Sequence, residues 1–348
     1  MIARLKAAEA GAQGDQAGRN PVATTQLDLD DLDLALIDEL QKNGRVPYTE
    51  VARQLAVTEK TVRRRVLRMI ERRFITITAV TDPASLGFDF MALALVRADG
   101  SRSPVELAAE FASLAEVDYV TVTTGPFAVQ AELMGQTAAE LHEVVNNKIR
   151  PIQGVGSVEL LPYLRLHYQQ ARFSGRGHQP DGIRPRELDN IDRAIVSYLA
   201  VDGRAPFVEL AEELQVSEAM IRFRYGKLVD SGAVRVMCIV NPLRLGYRYT
   251  SWVLVRVGAG GRAQDIAEAL TALPAVSYVA ITTGRCDILA EVVAATGEEL
   301  LSILDEQIRP IDGVAGIESW LYVALHYKAI RPRRLSASDG HASDIQIV

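Results

Sequence analysis

In LDDLDLALIDEL the apolar residues Leu29, Leu32, Leu36, Ile37 and Leu40 recur at the spacing of one helix face. The turn NGRVP follows, then TEVARQLAV, a short second helix carrying Val51, Ala52 and Leu55. Thr58 can N-cap a third helix, TVRRRVLRMIERR. Around that helix Val66, Met69 and Ile70 fall within about 80° of Val62 and predict its buried face. Lys60, Thr61, Arg64 and Arg68 fall opposite, with Arg63 and Arg65 on the flanks. FITITAV is short and β-branched, which predicts a strand or wing. Three helices, a tight turn and a wing describe a winged helix-turn-helix.

The pattern then changes. FDFMALALVRA predicts a buried strand, and SPVELAAEFASL a helix with Ser103 at N-cap and Pro104 at N1. VDYVTVTTG and FAVQAELM predict two strands around a Gly-Pro turn. TAAELHEVVNNKI predicts a helix opened by a Thr137/Glu140 capping box, and GVGSVELLPYLRLHY a last strand. The order is βαββαβ, a ferredoxin-like unit. Such a sheet, with helices on one face only, leaves apolar strands such as MALALV needing a cover.

The whole pattern occurs twice. An offset of 159 residues pairs Gly44 with Gly203, Pro47 with Pro206, Arg65 with Arg224, Gly125 with Gly284 and His167 with His326, without a gap. The chain therefore reads as α+β, two tandem modules. Winged helix-turn-helix domains are expected over 28–80 and 187–240, and ferredoxin-like domains over 86–169 and 245–329. A Gly-, Pro- and Arg-rich linker is expected over 170–186, with tails over 1–27 and 330–348.

Charge sharpens this picture. The 348 residues carry 38 basic and 44 acidic side chains, net −6, which argues against a generally basic surface. Yet residues 58–73 hold seven basic and two acidic groups. A charge run is most often a solvated helix face. One confined to the third helix of a helix-turn-helix, in an acidic chain, points to a polyanion. Arginine forks suit phosphate oxygens and the guanine edge. Thr58, Lys60, Thr61, Arg63, Arg64, Arg65 and Arg68 are therefore the DNA-contact candidates. In copy two the candidates are Arg222, Arg224 and Lys227, but residues 217–232 are only net +1 and include Phe223, Tyr225 and Gly226.

These motifs resemble the Lrp/AsnC (feast/famine) family of transcriptional regulators. The residues that carry the resemblance are LDDLDLALIDELQKNGR, VARQLAV-TEKTVRRRV, TDPASLGF, TTGPF and IRPIQGV, then ELDNIDRAIVSYLAVDGR, LAEELQV-SEAMIRFR, VNPLRLGY, TTGRCD and IRPIDGV. The resemblance implies a regulator that binds double-stranded DNA and senses a small molecule, usually an amino acid, between paired ferredoxin-like domains. It also implies homo-oligomers joined through those domains. The family usually ends its third helix with Glu-x-x-Gly; copy two keeps Gly232, while copy one has Ile70 and Arg73. The family's effector turn usually reads Gly-x-x-Asp. Thr283, Gly284, Arg285 and Asp287 are thus the effector candidates of copy two, and Thr124 and Gly125 those of copy one, where Ala128 replaces the Asp.

Other chemistries carry less. GxSxG, a P-loop, HExxH and a helix-opening GxGxxG are all missing from the sequence, so neither a catalytic residue nor a cofactor is expected. The repeat-equivalent His167 and His326 fit structural roles better than a metal site, and Cys286 beside Asp287 is too little for zinc. Siroheme decarboxylases share similar tandem modules and are expected to use histidine and arginine. Here TAVTDPASLGF and CIVNPLRLGY carry no histidine. An oligomerising co-regulator without its own operator is the third class, and the basic third helix argues against it. Two cysteines without a CxxC partner, and neither a signal-like h-region nor a run of about 20 apolar residues, fit a reduced, cytoplasmic setting with no membrane partner.

Overall fold

Each copy opens with three helices whose caps are local. A computed structural model describes residues 29–81, 83–169 and 188–327; the expected tails and linker lie outside them. Helix α1 (Asp31–Lys42) starts at Asp30, whose carboxylate accepts from the Asp33 N–H at 3.0 Å while Asp33 accepts from the Asp30 N–H at 3.2 Å. Helix α2 (Tyr48–Gln54) leads to α3 (Glu59–Glu71), where Thr58 caps by accepting from the Thr61 N–H. Copy two repeats them as α6 (Asn190–Val201), α7 (Phe207–Glu213) and α8 (Glu218–Asp230), the last capped by Ser217.

Helix α3 buries Val62, Val66 and Met69. Ile70, expected on that face, is 38% exposed, because it sits at the margin of the stripe and borders a cleft with Tyr48 and Leu67. After the helix Arg73 takes φ 58°, the left-handed conformation that Gly232 takes at φ 73° in copy two. The chain therefore leaves both third helices in the same way, although copy one does so against the Cβ penalty.

The strand that follows is not a wing of its own head. β1 (Ile75–Thr81) pairs antiparallel with β6 (Val234–Val240), in a register running from Ile75 opposite Val240 to Thr81 opposite Val234. The two heads consequently share one core, in which Leu36, Leu40, Val62 and Val66 join Ile195, Leu199, Ile221 and Leu228.

The ferredoxin-like units are β2 (Phe90–Ala98), α4 (Pro104–Phe111), β3 (Val117–Thr123), β4 (Val129–Gly135), α5 (Ala138–Val144) and β5 (Val155–Gln169), then β7 (Ser251–Val257), α9 (Ala263–Thr271), β8 (Val276–Thr282), β9 (Ile288–Val292), α10 (Gly297–Ser302) and β10 (Val314–Tyr327). Ser103 and Pro104 open α4 as expected. At α5 the capping box is displaced: Thr137 accepts from the Glu140 N–H, but the Glu140 carboxylate accepts from Gln136, one residue further back. Glu299 and Ala295 repeat that bond in copy two.

The two sheets close into one antiparallel eight-stranded barrel, ordered β10-β3-β4-β2-β5-β8-β9-β7. β5 pairs with β2 as far as Pro162 and with β8 from Tyr163; β10 pairs with β7 as far as Leu321 and with β3 from Tyr322. Alternation along the strands does the rest. Ala92, Ala94 and Val96 lie under copy-one helices, whereas Met91, Leu93 and Leu95 meet Trp252, Leu254 and Leu289 inside the barrel. The faces that needed a cover thus cover each other within one chain, and homo-oligomers joined through these faces would meet a surface already filled.

Close approach of the heads rests on two glycines. The Gly44 N–H donates to Val236 O at 2.8 Å, and the Gly203 N–H to Ile77 O at 2.9 Å. A Cβ on Gly203 would stand 2.9 Å from the backbone of Ile77 and Thr78. Gly203→Ala should therefore destabilise the chain by about 1–3 kcal/mol, the usual cost of overpacking. Urea unfolding should show both heads melting together, since one core serves both.

Candidate DNA-reading heads and effector cleft

On α3 the arginines divide by what they touch. Lys60 and Arg64 are exposed, and among the described residues neither is in an ion pair. Arg63 reaches Glu59 at 2.9 Å, one turn earlier on the surface. Arg65 donates to Asp30 at 2.6 Å and Asp33 at 3.1 Å, and Arg68 donates to Asp33 at 2.5 Å. Asp33 is only 1% exposed, so these pairs clamp α3 onto α1. The Arg65 hydrogen bond holds the Asp30 carboxyl below its ordinary range. Thr58 and Thr61 bond each other through their hydroxyls at 2.9 Å.

Copy two keeps the Arg65 part of the clamp, has Lys227 in place of Arg68, and loses the face. Arg224 bonds Asp189 and, at 3.3 Å, Asp192. Arg222 pairs with Glu218 at 2.6 Å, and the Lys227 ammonium stands 4.5 Å from the Phe223 ring centroid. The positions matching Lys60, Thr61 and Arg64 are Ala219, Met220 and Phe223, and Phe223 is 62% exposed.

The arginine of each NGR/DGR turn crosses to the other head. Arg45 Nη1 donates to the Gly203 and Ala205 carbonyls at 2.7 and 3.1 Å, and its guanidinium lies 4.2 Å from the Phe207 ring centroid. Arg204 Nη1 returns the bonds to Gly44 and Val46 at 2.5 and 3.1 Å and lies 3.9 Å from the Tyr48 centroid. Sequence reasoning used these residues only to mark a turn; their recurrence at the repeat offset was the available signal.

The effector candidates separate by copy. In copy one, Thr124 exchanges hydrogen bonds with Leu321 at 2.9 and 3.2 Å, and a Cβ on Gly125 would strike the Trp320 ring at 2.5 Å. Phe127 is buried against Trp320, their centroids 5.7 Å apart, so aromatic rings fill that turn. In copy two a cavity of about 400 Å³ is lined by Glu159, Arg256, Gly284, Arg285, Cys286 and Asp287. Gly284 has φ 115°. Arg285 grips Glu159 through two bonds, of 3.1 and 2.9 Å. Asp287 Oδ2 accepts from the Val257 N–H at 2.7 Å, so this carboxylate ties the turn to β7. The Thr283 N–H is taken by Pro162 O at 3.2 Å.

Between the copies lies a polar cluster that sequence reasoning missed. Glu132 Oε2 accepts from Tyr163 at 3.2 Å and from Tyr278 of the other copy at 2.9 Å. Its repeat mate Glu291 accepts from Tyr322 at 2.8 Å, from Tyr119 of the other copy, and from Ser277 at 2.5 Å. Trp252 lies among these tyrosines, 5.7 Å from Tyr278 and 5.8 Å from Tyr322, and its Nε1–H donates to Thr121 at 3.0 Å. A glutamate in the middle of an apolar strand, repeated in both copies, was the signal. Of the repeat-equivalent histidines, the His167 side chain lies outside the described ones. His326 is half-buried, and burial, with Arg73 adding, pushes its pKa down.

Two helix-turn-helix heads are tied by a strand pair and carried on an α+β barrel, a tandem two-headed architecture. The AsnC-type helix-turn-helix domain matches residues 29–70 and again 188–229, and a C-terminal dimeric alpha+beta barrel domain matches 262–329. The HTH-type transcriptional regulator FL11 of Pyrococcus abyssi is 36% identical over 140 residues, covering 40% of this chain and 91% of that protein. The HTH-type transcriptional regulator LrpA of Pyrococcus horikoshii is 31% identical over 134 residues, covering 37% and 92%. Over nearly the whole length the fold is similar to the siroheme decarboxylase NirDL, with a TM-score of 0.57 at 16% identity, covering 87% of this chain and 94% of that one. The chain belongs to the Lrp/AsnC family of transcriptional regulators, in a tandem duplicated form. Among the described residues no helix is long and apolar enough to cross a membrane.

The barrel cluster gives the protein a pH dependence. Burial pushes the Glu132 carboxyl up to about 7 from an ordinary 4.5; the Tyr278 and Tyr163 hydroxyls oppose the push and the Glu291 charge adds to it. An acid whose pKa rises on folding stays protonated in the fold where the unfolded chain has released its proton. Stability therefore falls as pH climbs from 4.5 to about 7 and stays at the lower level above. The urea midpoint, followed by fluorescence of Trp252 and Trp320, should decline across that window. Glu132→Gln should remove this part of the decline; an unchanged pH profile in the variant would contradict the assignment.

Proposed function

We propose that the chain is a sequence-specific regulator that reads double-stranded DNA chiefly through the copy-one head and responds to an amino acid at the copy-two turn. The carrying observation is α3. The Arg65 and Arg68 pairs to Asp30 and Asp33 hold this helix against its head while Lys60 and Arg64 stay exposed on its outer side. In this reading Lys60, Thr61 and Arg64 meet base edges and Arg63 and Arg68 meet phosphates. Arg65 positions the helix. Arg222, Arg224 and Lys227 give the copy-two head a weaker, mainly electrostatic role, with Met220 and Phe223 offering apolar contact.

For the effector, the support is the charge balance of the copy-two cavity. Glu159 and Asp287 face Arg256 and Arg285 around Gly284, two groups of each sign. A zwitterion can exchange with such internal ion pairs without leaving a charge unpaired. At the copy-one turn Trp320 and Phe127 occupy the equivalent space, which argues for one responsive copy.

The fold likeness to a siroheme decarboxylase favours a second reading, a tetrapyrrole enzyme. Against it, Trp252, Trp320, Phe127 and Tyr278 pack the barrel interior, and the segments entering β2 and β7 carry no histidine. Incubation with sirohaem should leave the Soret band of the free compound unshifted. A saturable Soret shift together with no salt-dependent DNA binding would favour the enzyme.

Two measurements test the main reading. By fluorescence anisotropy on the preferred operator, Arg64→Ala should cost about 1–3 kcal/mol at particular base pairs only. Arg68→Ala should flatten the salt slope by about one unit. Arg65→Ala and Arg68→Ala should both also appear in unfolding, since each strips a partner from the buried Asp33, whereas only Arg68→Ala should change the salt slope. In calorimetry Asp287→Asn, which keeps an acceptor for Val257, should lose amino-acid binding and with it an effector coupling of about 1–3 kcal/mol on DNA affinity. Undiminished amino-acid binding by that variant would remove the effector assignment.

A further inference from the structure

The two heads share one frame, and their outer faces have opposite chemistry. On α2 and α3 of copy one, Thr49, Arg53, Lys60 and Arg64 are exposed, and among the described residues none of these three cations is in an ion pair. At the repeat offset the same positions on α7 and α8 are Val208, Glu212, Ala219 and Phe223, and Glu213 stands where copy one has Gln54. Glu212 and Glu213 are exposed, and among the described residues neither is in an ion pair. The cations of α8 are engaged nearby: Arg222 with Glu218, Arg224 with Asp189 and Asp192, and Lys227 with the Phe223 ring. Because α7 packs on α8, with the Phe207 and Tyr225 ring centroids 5.1 Å apart, the copy-two head offers solvent both apolar side chains and carboxylates.

Helical geometry collects these groups. At about 100° per residue, Ala219, Phe223 and Met220 fall within an arc of about 100° on α8, while the buried Ile221 and Leu228 lie on the other side. Phe223 is 62% exposed, Val208 45% and Met220 42%, and an exposed apolar cluster of this kind marks a contact surface. In the same projection Leu67 of α3, 49% exposed, falls within about 60° of Lys60 and Arg64. The outer face of α3 is therefore basic around an apolar side chain, and that of the copy-two head is apolar beside carboxylates. Neither covers the other within the chain, since both are exposed while β1 and β6 hold the heads together. The inner faces of the barrel are already filled by the chain itself.

We propose that the outer face of the copy-two head docks the α3 face of a second copy of this chain. Phe223 and Met220 meet Leu67 of the second copy, and Glu212 and Glu213 meet its Lys60 and Arg64, so the apolar and the charged groups are both complementary. The α7 carboxylates count against a phosphate backbone at this face. They fit a basic, partly apolar protein surface, and α3 is one. A two-fold pair makes the contact twice, once from each head, and closes at two copies. Making it twice also brings the buried area toward the roughly 1,200 Å² at which specific interfaces begin. In such a pair both α3 helices are covered, so a second copy and DNA compete for the same face, and the free protein is held in a form that does not read DNA. That consequence rests on the DNA-reading assignment; the association itself does not.

The test is sedimentation equilibrium of the full chain without DNA over the micromolar range. Phe223→Arg and Glu212→Arg give copy two the residues of copy one, and Arg64→Glu reverses the opposing face. Leu164→Ser, at a barrel position 68% exposed, is the control. A monomer–dimer equilibrium is expected, weakened at least about tenfold by Phe223→Arg and by Arg64→Glu and untouched by the control. Combining Glu212→Arg with Arg64→Glu should restore part of the loss, because the swapped charges attract again. Glu212, exposed and outside any ion pair among the described residues, carries the copy-two arm should Phe223→Arg not fold. A strictly monomeric chain, or a dimer indifferent to both faces, overturns the proposal. Weakening by Phe223→Arg alone means that another surface sits on this face, and it overturns the choice of α3. Added duplex should dissolve the wild-type pair; pairs that persist on saturating duplex would overturn the competition.

Discussion

One antiparallel strand pair holds this molecule in its present form. β1 belongs to copy one and β6 to copy two, and each would otherwise leave a bare hydrogen-bonding edge on its own head. Pairing them satisfies both edges and brings the two turns into register. There the Gly44 and Gly203 N–H groups bond the opposite copy and Arg45 and Arg204 exchange places. The barrel repeats the logic on a larger scale, since β5 and β10 each begin in their own sheet and finish in the other. A single chain thereby has the two-headed geometry that a helix-turn-helix reader commonly gets from two subunits.

On that near-symmetric frame the chemistry is asymmetric. Clamps repeat: Arg65 on Asp30 and Asp33 recurs as Arg224 on Asp189 and Asp192. Outer faces do not: Lys60 and Arg64 become Ala219 and Phe223. At the Gly125 and Gly284 turns, an aromatic plug of Phe127 and Trp320 stands opposite a charged cavity. Duplication fused in one chain lets each copy lose what the other retains. A homodimer, in which both copies are the same sequence, cannot do this.

The barrel interior shows how such a frame keeps its copies in register. Glu132 and Glu291 each take hydroxyl donors from both copies, so sliding one sheet past the other would leave a buried carboxylate without its partners. Glu291 has a third donor in Ser277, while the matching residue beside β4 is Asp118, which has no hydroxyl to give. The pairing is thus specified by polar groups as well as by apolar area, at the cost of a carboxyl whose proton depends on the fold.

The helix caps, the three-helix head, the βαββαβ order and the duplication were all legible in the chain, because each depends on residues within a few positions or on one constant offset. Thr58 and Ser103 cap where local pattern puts them, and the unbroken apolar run MALALV already required a cover on the face its helices leave bare. Partners more than a turn or two away were not legible. Sequence alone could not show that FITITAV pairs with the other copy instead of forming a wing, that Arg65 and Arg68 reach Asp33, or that Trp320 covers Gly125. Periodicity fixes which side of an element is apolar; it holds no information about which distant surface arrives to cover it. That choice was made by tertiary packing, where the buried edges, charges and rings of one copy found their complements in the other.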